Sequence, residues 1–150
     1  MLNVKVKKLR KDALLPTYGT DGAACLDFKT SKGISRKDWE YEGDEYSYVV
    51  ETGLAFEIPK NHVMLIYSRS GHGFKHKCVL ANSTGVIDSD YRGEVKIKLV
   101  TKRLFEIEEE GGVAQMIILP YPTITLTEVQ ELSDTSRGAG GFGSTDKVKQ

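Results

Sequence analysis

The sequence predicts one all-β domain of the sandwich, jelly-roll or barrel type, followed by a polar arm at the C-terminus. Residues 94–99, EVKIKL, alternate polar and apolar side chains, as a strand with one buried face does. No segment shows a sustained helical stripe of apolar residues, and many short strands at near-regular spacing favour these β architectures. Five more segments, bounded by Gly, Pro, Asn or Asp, are predicted as strands: residues 54–58, 63–67, 104–107, 116–119 and 123–129.

The composition is that of an ordinary globular protein. The 150 residues suffice for one domain with a sizeable core, and 39% of them are hydrophobic and 28% charged. Lys and Arg number 21, as do Asp and Glu, so the net charge is zero. This balance argues against general nucleic-acid binding, which requires a basic surface. A small anionic ligand needs only a few local cations and is not excluded.

Targeting and redox signals are weak. Residues 1–16 contain cations and scattered apolar side chains but no continuous apolar stretch, so we expect no signal peptide and no membrane association. Cys25 and Cys78 follow no metal-binding or redox spacing, and we expect free, buried thiols in a reducing compartment. These observations predict a cytoplasmic protein, or one of the host cytoplasm if the source is a virus.

Two segments depart from the strand pattern. Residues 29–48 are polar and aromatic, which favours an elaborated surface hairpin or loop whose aromatic side chains form a small cluster. Residues 133–150 are rich in glycine and almost free of aliphatic side chains, so they can add little to a core. We therefore expect a β core over residues 1–132 and a flexible arm over residues 133–150.

The arm carries chemistry of its own. Residues 137–145, RGAGGFGST, have the spacing of a dinucleotide-binding loop, but only seven residues follow Gly143, too few for the helix that such a loop requires. A Walker A loop is excluded because Ser144 stands where Lys is needed. Glycine backbone amides can converge on phosphate oxygens, Arg137 can pair with a terminal phosphate, and Phe142 can stack on a base. On these residues alone, a tail without function is equally compatible.

Three further segments hold unusual polar residues for a β protein. Residues 67–71, YSRSG, end a predicted strand with a cation, hydroxyls and a glycine. Residues 82–93 read as a turn, a short strand and another turn, and residues 112–116 place a polar Gln among apolar neighbours. Taken singly, each segment is explained by turn residues or by an edge-strand side chain.

Together with the arm, these segments resemble the trimeric dUTP pyrophosphatase (dUTPase) family. The resemblance runs from about residue 15 to residue 145, with the third motif the most specific and the fifth nearly complete. It implies a jelly-roll fold, a homotrimer with shared active sites, and Mg²⁺-dependent hydrolysis of dUTP to dUMP and pyrophosphate. The five family motifs occur in order at residues 24–28 (ACLDF), 68–71 (SRSG), 85–93 (GVIDSDYRG), 114–117 (AQMI) and 137–145 (RGAGGFGST).

The chain departs from the family pattern at four places. Ser68 stands where Pro is usual, and Asp146 where many members have Gly. Residues 110–115, EGGVAQ, replace the usual G-x-R-[IV]-A-Q, so the familiar Gly and Arg of that turn are missing and its geometry is open. Residues 29–48 form a segment a few residues longer than usual. None of these departures removes a residue to which the resemblance assigns chemistry.

The resemblance implies a site in which Mg²⁺ binds the three phosphates and Asp27 holds the metal-bound waters. Arg69 and Ser70 would contact the α- and β-phosphates, Gln115 would donate to the α-phosphate, and Arg137 would pair with the γ-phosphate. Three chains would contribute to each site: residues 82–91 from one, residues 68–71 with Gln115 from a second, and residues 137–145 from the third. The remaining predicted substrate contacts are Gly71, Gly85, Val86, Ile87, Phe142, Gly143, Ser144 and Thr145.

Asp88 is the predicted general base, because an ionised carboxylate can orient and deprotonate the attacking water. Asp90 is predicted to cap the turn instead. Residues 82–91 are expected to fold as a hairpin whose backbone reads uracil, with Asn82 donating toward O4. Tyr91 would pack under the deoxyribose and exclude a 2′-hydroxyl.

Two other functions fit parts of this pattern. A non-catalytic dUTP sensor would need the same binding residues but no positioned base, so the presence of Asp88 argues against it. Deamination of dCTP on a related fold would need a different acid–base constellation, and the fifth motif is foreign to that activity. Product analysis with dUTP and dCTP separates all three functions.

Overall fold

The structure, a computed structural model that describes residues 2–144, contains short strands and one short helix. No helix in this described range is long and apolar enough to cross a membrane. In chain order the elements are β1 (Lys5–Lys8), β2 (Thr17–Tyr18), β3 (Leu26–Lys29), β4 (Glu40–Glu42), β5 (Glu45–Glu51), β6 (Leu54–Glu57), β7 (His62–Tyr67), α1 (Ser70–His76), β8 (Val79–Leu80), β9 (Gly85–Ile87), β10 (Lys96–Thr101) and β11 (Gly112–Pro120).

The strands form three antiparallel sheets. One sheet has five strands in the order β2-β3-β11-β7-β9, another has four in the order β4-β5-β10-β8, and β1 pairs with β6. Within residues 2–144 these sheets stay open, and no barrel closes. The predicted all-β fold is confirmed.

The core lies where the apolar faces of the sheets meet. In β10, Ile97, Leu99 and Thr101 are buried and alternate with more exposed residues, as the EVKIKL pattern predicts. Met64 and Ile66 of β7 are buried in the same core by the same alternation. Burying an apolar side chain of this size contributes about 1.5–3 kcal/mol to stability, so the core is what holds the functional loops in place.

Four of the six predicted strands are confirmed as β6, β7, β10 and β11. The prediction for residues 104–107 is wrong, because the segment makes only an isolated bridge between Ile107 and Ile34 while it buries Phe105. The prediction for residues 123–129 is also wrong. That segment is exposed and pairs with no other part of the described chain. Alternating side chains suit a strand, but they do not show whether a partner strand is present.

Residues 29–48 contain the predicted hairpin, formed by β4 and β5, and an aromatic cluster beside it. Trp39 is buried against Phe105 and Tyr48, with ring centroids 5.1 Å and 6.1 Å away, and its Nε1 donates to the Phe105 carbonyl at 3.0 Å. Tyr41 and Tyr46 pair separately across the hairpin. This insertion is therefore anchored in the core rather than being only a surface loop.

The sequence did not predict helix α1, since seven residues with two glycines are too short to show a helical stripe. Both thiols are free, as expected. Cys78 is buried, which raises its pKa to about 12, whereas Cys25 is only half-buried, so the expectation of burial is correct for Cys78 alone.

Candidate active site

Arg69 stands at the junction of β7 and α1 and is held by two acceptors. Its Nε donates to Oδ1 of Asp27 at 3.1 Å, and its Nη1 donates to the Gly112 carbonyl at 3.1 Å. The Arg69 and Asp27 side chains are 36% and 24% exposed, so the pair lies at the surface and open to a ligand. Residues of the first and second motifs therefore meet the start of β11 at one end of the five-stranded sheet.

Ser68 is hydrogen-bonded to two neighbouring strands, β8 and β11. Its Oγ accepts a hydrogen bond from the Leu80 amide at 2.9 Å, and its carbonyl accepts one from Nε2 of Gln115 at 2.9 Å. A Pro side chain has no hydroxyl, so the first bond depends on the departure of this chain from the family pattern. Since an amide nitrogen carries two N–H donors, Gln115 keeps one for a ligand.

The local charge comes from Arg69 rather than from the nearby imidazole. Burial lowers the pKa of His72, and the positive charge of Arg69 lowers it further. His72 is therefore neutral at physiological pH, and its Nδ1 has no hydrogen-bond partner among residues 2–144. Ser70 and Gly71, which begin α1, are exposed beside it.

The turn before β11 keeps a glycine-like geometry without its usual glycine. Glu110 has φ of 58°, in the left-handed region that favours glycine. The turn is closed by bonds from the Glu110 amide to the Thr30 carbonyl and from the Gly111 amide to the Glu108 carbonyl, both 2.9 Å. Glu110 thus adopts a backbone conformation that favours the glycine usual at this position.

The third motif lies elsewhere on the molecule. As predicted, residues 82–93 form a turn, a short strand and another turn. Val86, Ile87, Asp88 and Tyr91 line a surface cleft of about 370 Å³. Asp88 is exposed at this cleft. The cleft also contains Glu94, Val95 and Lys96, which sequence reasoning missed although they directly follow the motif.

The expectation of a hairpin over residues 82–91 is wrong. β9, the strand within it, pairs with β7, while the preceding β8 pairs with β10, so the chain crosses from one sheet to another at Asn82. The crossover occurs because each strand finds a partner outside the segment. Asn82 is exposed in the connecting turn.

The expected role of Asp90 is also corrected. Its side chain makes no hydrogen bond within residues 2–144, and the turn is closed by the Tyr91 amide, which donates to the Asp88 carbonyl at 3.2 Å. Arg92 supplies the support instead, since its Nη1 donates to the carbonyls of Ser89 and Tyr91 at 2.7 and 3.0 Å. A guanidinium has five N–H donors, so one side chain can bond to both carbonyls of the turn.

Tyr91 is held against the backbone that follows it. Its hydroxyl donates to the Glu94 carbonyl at 3.0 Å, and its ring lies so close to Gly93 that a Cβ on that residue would overlap the phenol. The ring is 44% exposed and forms one wall of the cleft. A planar wall of this kind suits packing against a sugar.

The arm makes only local hydrogen bonds in the described part of the chain. Nε of Arg137 donates to the Gly140 carbonyl at 2.8 Å, and the Ser144 amide donates to the Gly141 carbonyl at 3.0 Å. Phe142 is fully exposed, and Gly143 has φ of 87°. The structure does not bring these residues to either of the other two groups, and Thr145 lies outside the described residues.

The Arg69–Asp27 pair and the cleft that holds Asp88 are well separated, as strand register shows. Asp27 of β3 lies in the row that contains Tyr67 of β7, and Ile87, next to Asp88, faces Met64 of β7. The two positions thus differ by three strands and by three residues along the strands. At about 4.8 Å per strand and 3.3 Å per residue, the separation is roughly 17 Å.

Comparison with known proteins decides the family. The dUTPase family model matches residues 11–146. The chain belongs to the dUTPase family. It is an enzyme, a hydrolase that acts on dUTP, and its sheets are those of the jelly-roll fold of that family.

Individual relatives cover almost the whole of this dUTPase. It is 44% identical to the deoxyuridine 5′-triphosphate nucleotidohydrolase of Nautilia profundicola, over 97% of this chain and 100% of the relative. It is 39% identical to the protein of the same name from Clostridioides difficile, over 97% and 99%. A solved structure of a Staphylococcus bacteriophage 80alpha dUTPase variant with dUpNHpp superposes with a TM-score of 0.80 at 26% identity, over 97% and 99%.

Proposed function

We propose that this dUTPase forms dUMP and pyrophosphate by attack of water on the α-phosphorus of dUTP, with Asp88 as the general base. The observation that carries the proposal is the exposed carboxylate of Asp88 on a cleft that Tyr91 and the edge strand β9 also line. A carboxylate in that position is free to accept a proton from a water molecule. Since phosphoryl chemistry depends mainly on positioning and charge stabilisation, the remaining residues need only hold the substrate.

The cleft has the features needed to bind a nucleoside. Among residues 2–144, β9 pairs with β7 alone, so its other edge presents backbone donors and acceptors over residues 85–87 that no strand of this range pairs with. Such an edge can read the hydrogen-bonding groups of uracil, with Asn82 adding a donor toward O4. The ring of Tyr91 would lie under the deoxyribose, where a 2′-hydroxyl would collide with it.

The phosphates would bind at the Arg69 group. Arg69 has five N–H donors and uses two of them on Asp27 and Gly112, so three remain for phosphate oxygens. Gln115 retains one amide donor, and Ser70 is exposed beside it. The arm would close over the nucleotide, with Arg137 on the γ-phosphate, Phe142 on the base, and Gly143, Ser144 and Thr145 donating to phosphates.

Asp27 fits the role of a water-mediated Mg²⁺ ligand. Oδ1 of Asp27 accepts from Arg69, whereas Oδ2 has no hydrogen-bond partner within the described range. No group of three or more His, Cys, Asp or Glu side chains suited to a metal occurs there. One carboxylate oxygen suits an ion that keeps its waters and is held mainly by substrate phosphates. When bound, Mg²⁺ would neutralise part of the phosphate charge.

In a homotrimer with shared active sites, one dUTP molecule could contact Asp88 of one chain and Arg69 of another. One dUTP molecule needs the base and the phosphate-binding cation within a few ångströms of its α-phosphorus. In one chain, however, Ile87, next to Asp88, lies roughly 17 Å from Asp27, the partner of Arg69. A neighbouring chain can supply the missing group. Residues 121–139 are exposed throughout, and Ile124 and Leu126 are 75% and 88% exposed, so this apolar segment needs a surface that a neighbour can provide.

We extend the proposal to organisation and location. Residues 1–132 would form the core and residues 133–150 the arm that closes a neighbour's site, in a cytoplasmic protein. The local hydrogen bonding of residues 135–144 supports this division.

Asp88→Asn tests the base. We expect turnover of dUTP to fall by roughly 10² or more while binding of a non-hydrolysable dUTP analogue persists, because the amide keeps the shape but cannot take a proton. Asp90→Asn is the matched control, since Asp90 is exposed in the same turn and its side chain bonds to no residue of the described range, and it should retain near-native turnover. Near-native turnover of Asp88→Asn would exclude the assigned base.

Products and mixed assemblies test the rest. Release of dUMP and pyrophosphate from dUTP, with no deamination of dCTP, excludes both the sensor and the deaminase.

Coexpression of Asp88→Asn with Arg69→Ala tests the sharing of sites. If each site takes these residues from two chains, about one quarter of the sites in random mixtures contain both native residues and activity returns. No recovery in confirmed mixed trimers would place both residues in one chain's site.

A further inference from the structure

We propose that Gly112 is a positioning residue for Arg69. Because Gly112 has no side chain, it leaves the space, here called the seat, in which the guanidinium lies between Asp27 and Gly112. The inference rests on the proposed function, in which Arg69 binds the phosphates. It adds a residue outside the 114–117 motif, at the turn where this chain departs from the family pattern.

Two hydrogen bonds and the close approach to Gly112 define the position of the Arg69 guanidinium. Nη1 of Arg69 donates to the Gly112 carbonyl and Nε donates to Asp27, so the group spans β11 and β3. A Cβ built on Gly112 would lie 2.6 Å from both Cζ and Nη1 of Arg69 and 3.0 Å from Nε. Non-bonded atoms do not approach so closely in proteins, so in this chain the guanidinium occupies space that the absent side chain of Gly112 leaves open.

The backbone itself does not require glycine at residue 112. Its φ is outside the left-handed region, in contrast to that of Glu110 two residues earlier. The register of β11 against β3 shifts between Gly112 and Ala114, so the strand has a bulge at this point. The close atoms all belong to the end of a long side chain, which can move away. A methyl group should therefore displace Arg69 at little cost in stability.

The seat determines which donors face the substrate. With Nε and one Nη1 hydrogen engaged, the two Nη2 hydrogens and the second Nη1 hydrogen are left for a ligand, in positions that the two bonds fix. A displaced guanidinium would keep its charge but lose this fixed orientation, and oriented donors account for most of the stabilisation of phosphoryl charge. Gly112 thus acts through Arg69 and does not itself contact the substrate.

Gly112→Ala tests the inference. We expect kcat/KM for dUTP to fall about tenfold, with weaker binding of a non-hydrolysable dUTP analogue and a nearly unchanged Tm. Gly22→Ala is the matched control, because a Cβ at Gly22 meets no atom within 4 Å, and it should leave kinetics and Tm unchanged. A Gly112→Ala enzyme with native kcat/KM would overturn the inference.

A double-mutant cycle separates positioning from general damage. If Gly112 acts through Arg69, then adding Gly112→Ala to Arg69→Ala should change kcat/KM by less than about twofold, so the two effects are non-additive. A further tenfold loss in the double variant, or a large fall in Tm both with and without Arg69, would show that Gly112 acts on something else and would overturn the inference. If Arg69→Ala alone leaves kcat/KM unchanged, the proposed phosphate site itself fails.

Discussion

Removal of the arm should separate activity from stability. A chain that ends at Ser133 loses residues 134–150. Of these, residues 134–144 are exposed apart from the half-buried Gly140 and Gly141, and their hydrogen bonds within the described range are all local. Since almost no apolar surface is uncovered, we expect the free energy of unfolding to change by less than about 0.5 kcal/mol, which is a Tm shift of about 1–2 °C.

The loss of activity follows from the contacts that the arm would make. A charge-assisted bond from Arg137 to the γ-phosphate is worth about 1.5–3 kcal/mol, and stacking of Phe142 on the base about 1–3 kcal/mol. Together they amount to about 2.5–6 kcal/mol, so kcat/KM should fall by roughly 10² to 10⁴. A chain that ends at Thr145 is the matched control, because it keeps the whole fifth motif, and it should remain active.

Pyrophosphate release and thermal unfolding measure the two effects. Limited proteolysis near Arg137 adds a direct view of closure: a non-hydrolysable dUTP analogue with Mg²⁺ should slow cleavage. The reasoning is refuted if the chain ending at Ser133 stays within threefold of native activity, if its Tm falls by more than about 5 °C, or if the analogue does not alter cleavage.

Three further predictions concern the body of the protein. Tyr91→Ala should raise UTP turnover relative to dUTP, whereas Tyr91→Phe, which loses only the bond to the Glu94 carbonyl, should not; an unchanged ratio in both would make Tyr91 a packing residue. Glu110→Gly should raise the free energy of unfolding by about 0.5–1 kcal/mol, because it relieves a left-handed φ, and urea denaturation at fixed protein concentration would show it. Ser68→Ala should lower that free energy by about 1–3 kcal/mol, since the Leu80 amide loses its acceptor; no change in the same assay would mean that water replaces the hydroxyl.

Local patterns of the sequence were sufficient to predict four of the strands and to nominate the residues for the chemistry. Alternation in residues 94–99 predicted the face that β10 buries, because side chains in a strand point to opposite sides whatever its partner is. The composition of residues 137–145 likewise indicated phosphate and base contacts. Short motifs sufficed for the family, since their residue types and order are properties of the chain alone.

Pairing between distant segments was decided only by the tertiary structure. Residues 123–129 alternate as a strand does, yet they lie exposed because no edge of the described chain pairs with them. β9 joins β7 instead of forming a hairpin, and this places Asp88 far from Arg69. Periodicity reports which side of a segment is buried, but it carries no information about the partner.

Residue types at short spacing were enough to predict four of the strands and the family, and to nominate the reactive groups. No local pattern shows that Arg69 lies between Asp27 and Gly112, which are 42 and 43 positions away along the chain; this became visible in the folded chain. The tertiary structure also decided that this group and Asp88 stand in separate places on one chain. Both facts depend on strand register, which is set by the packing of the whole sheet rather than by any local pattern.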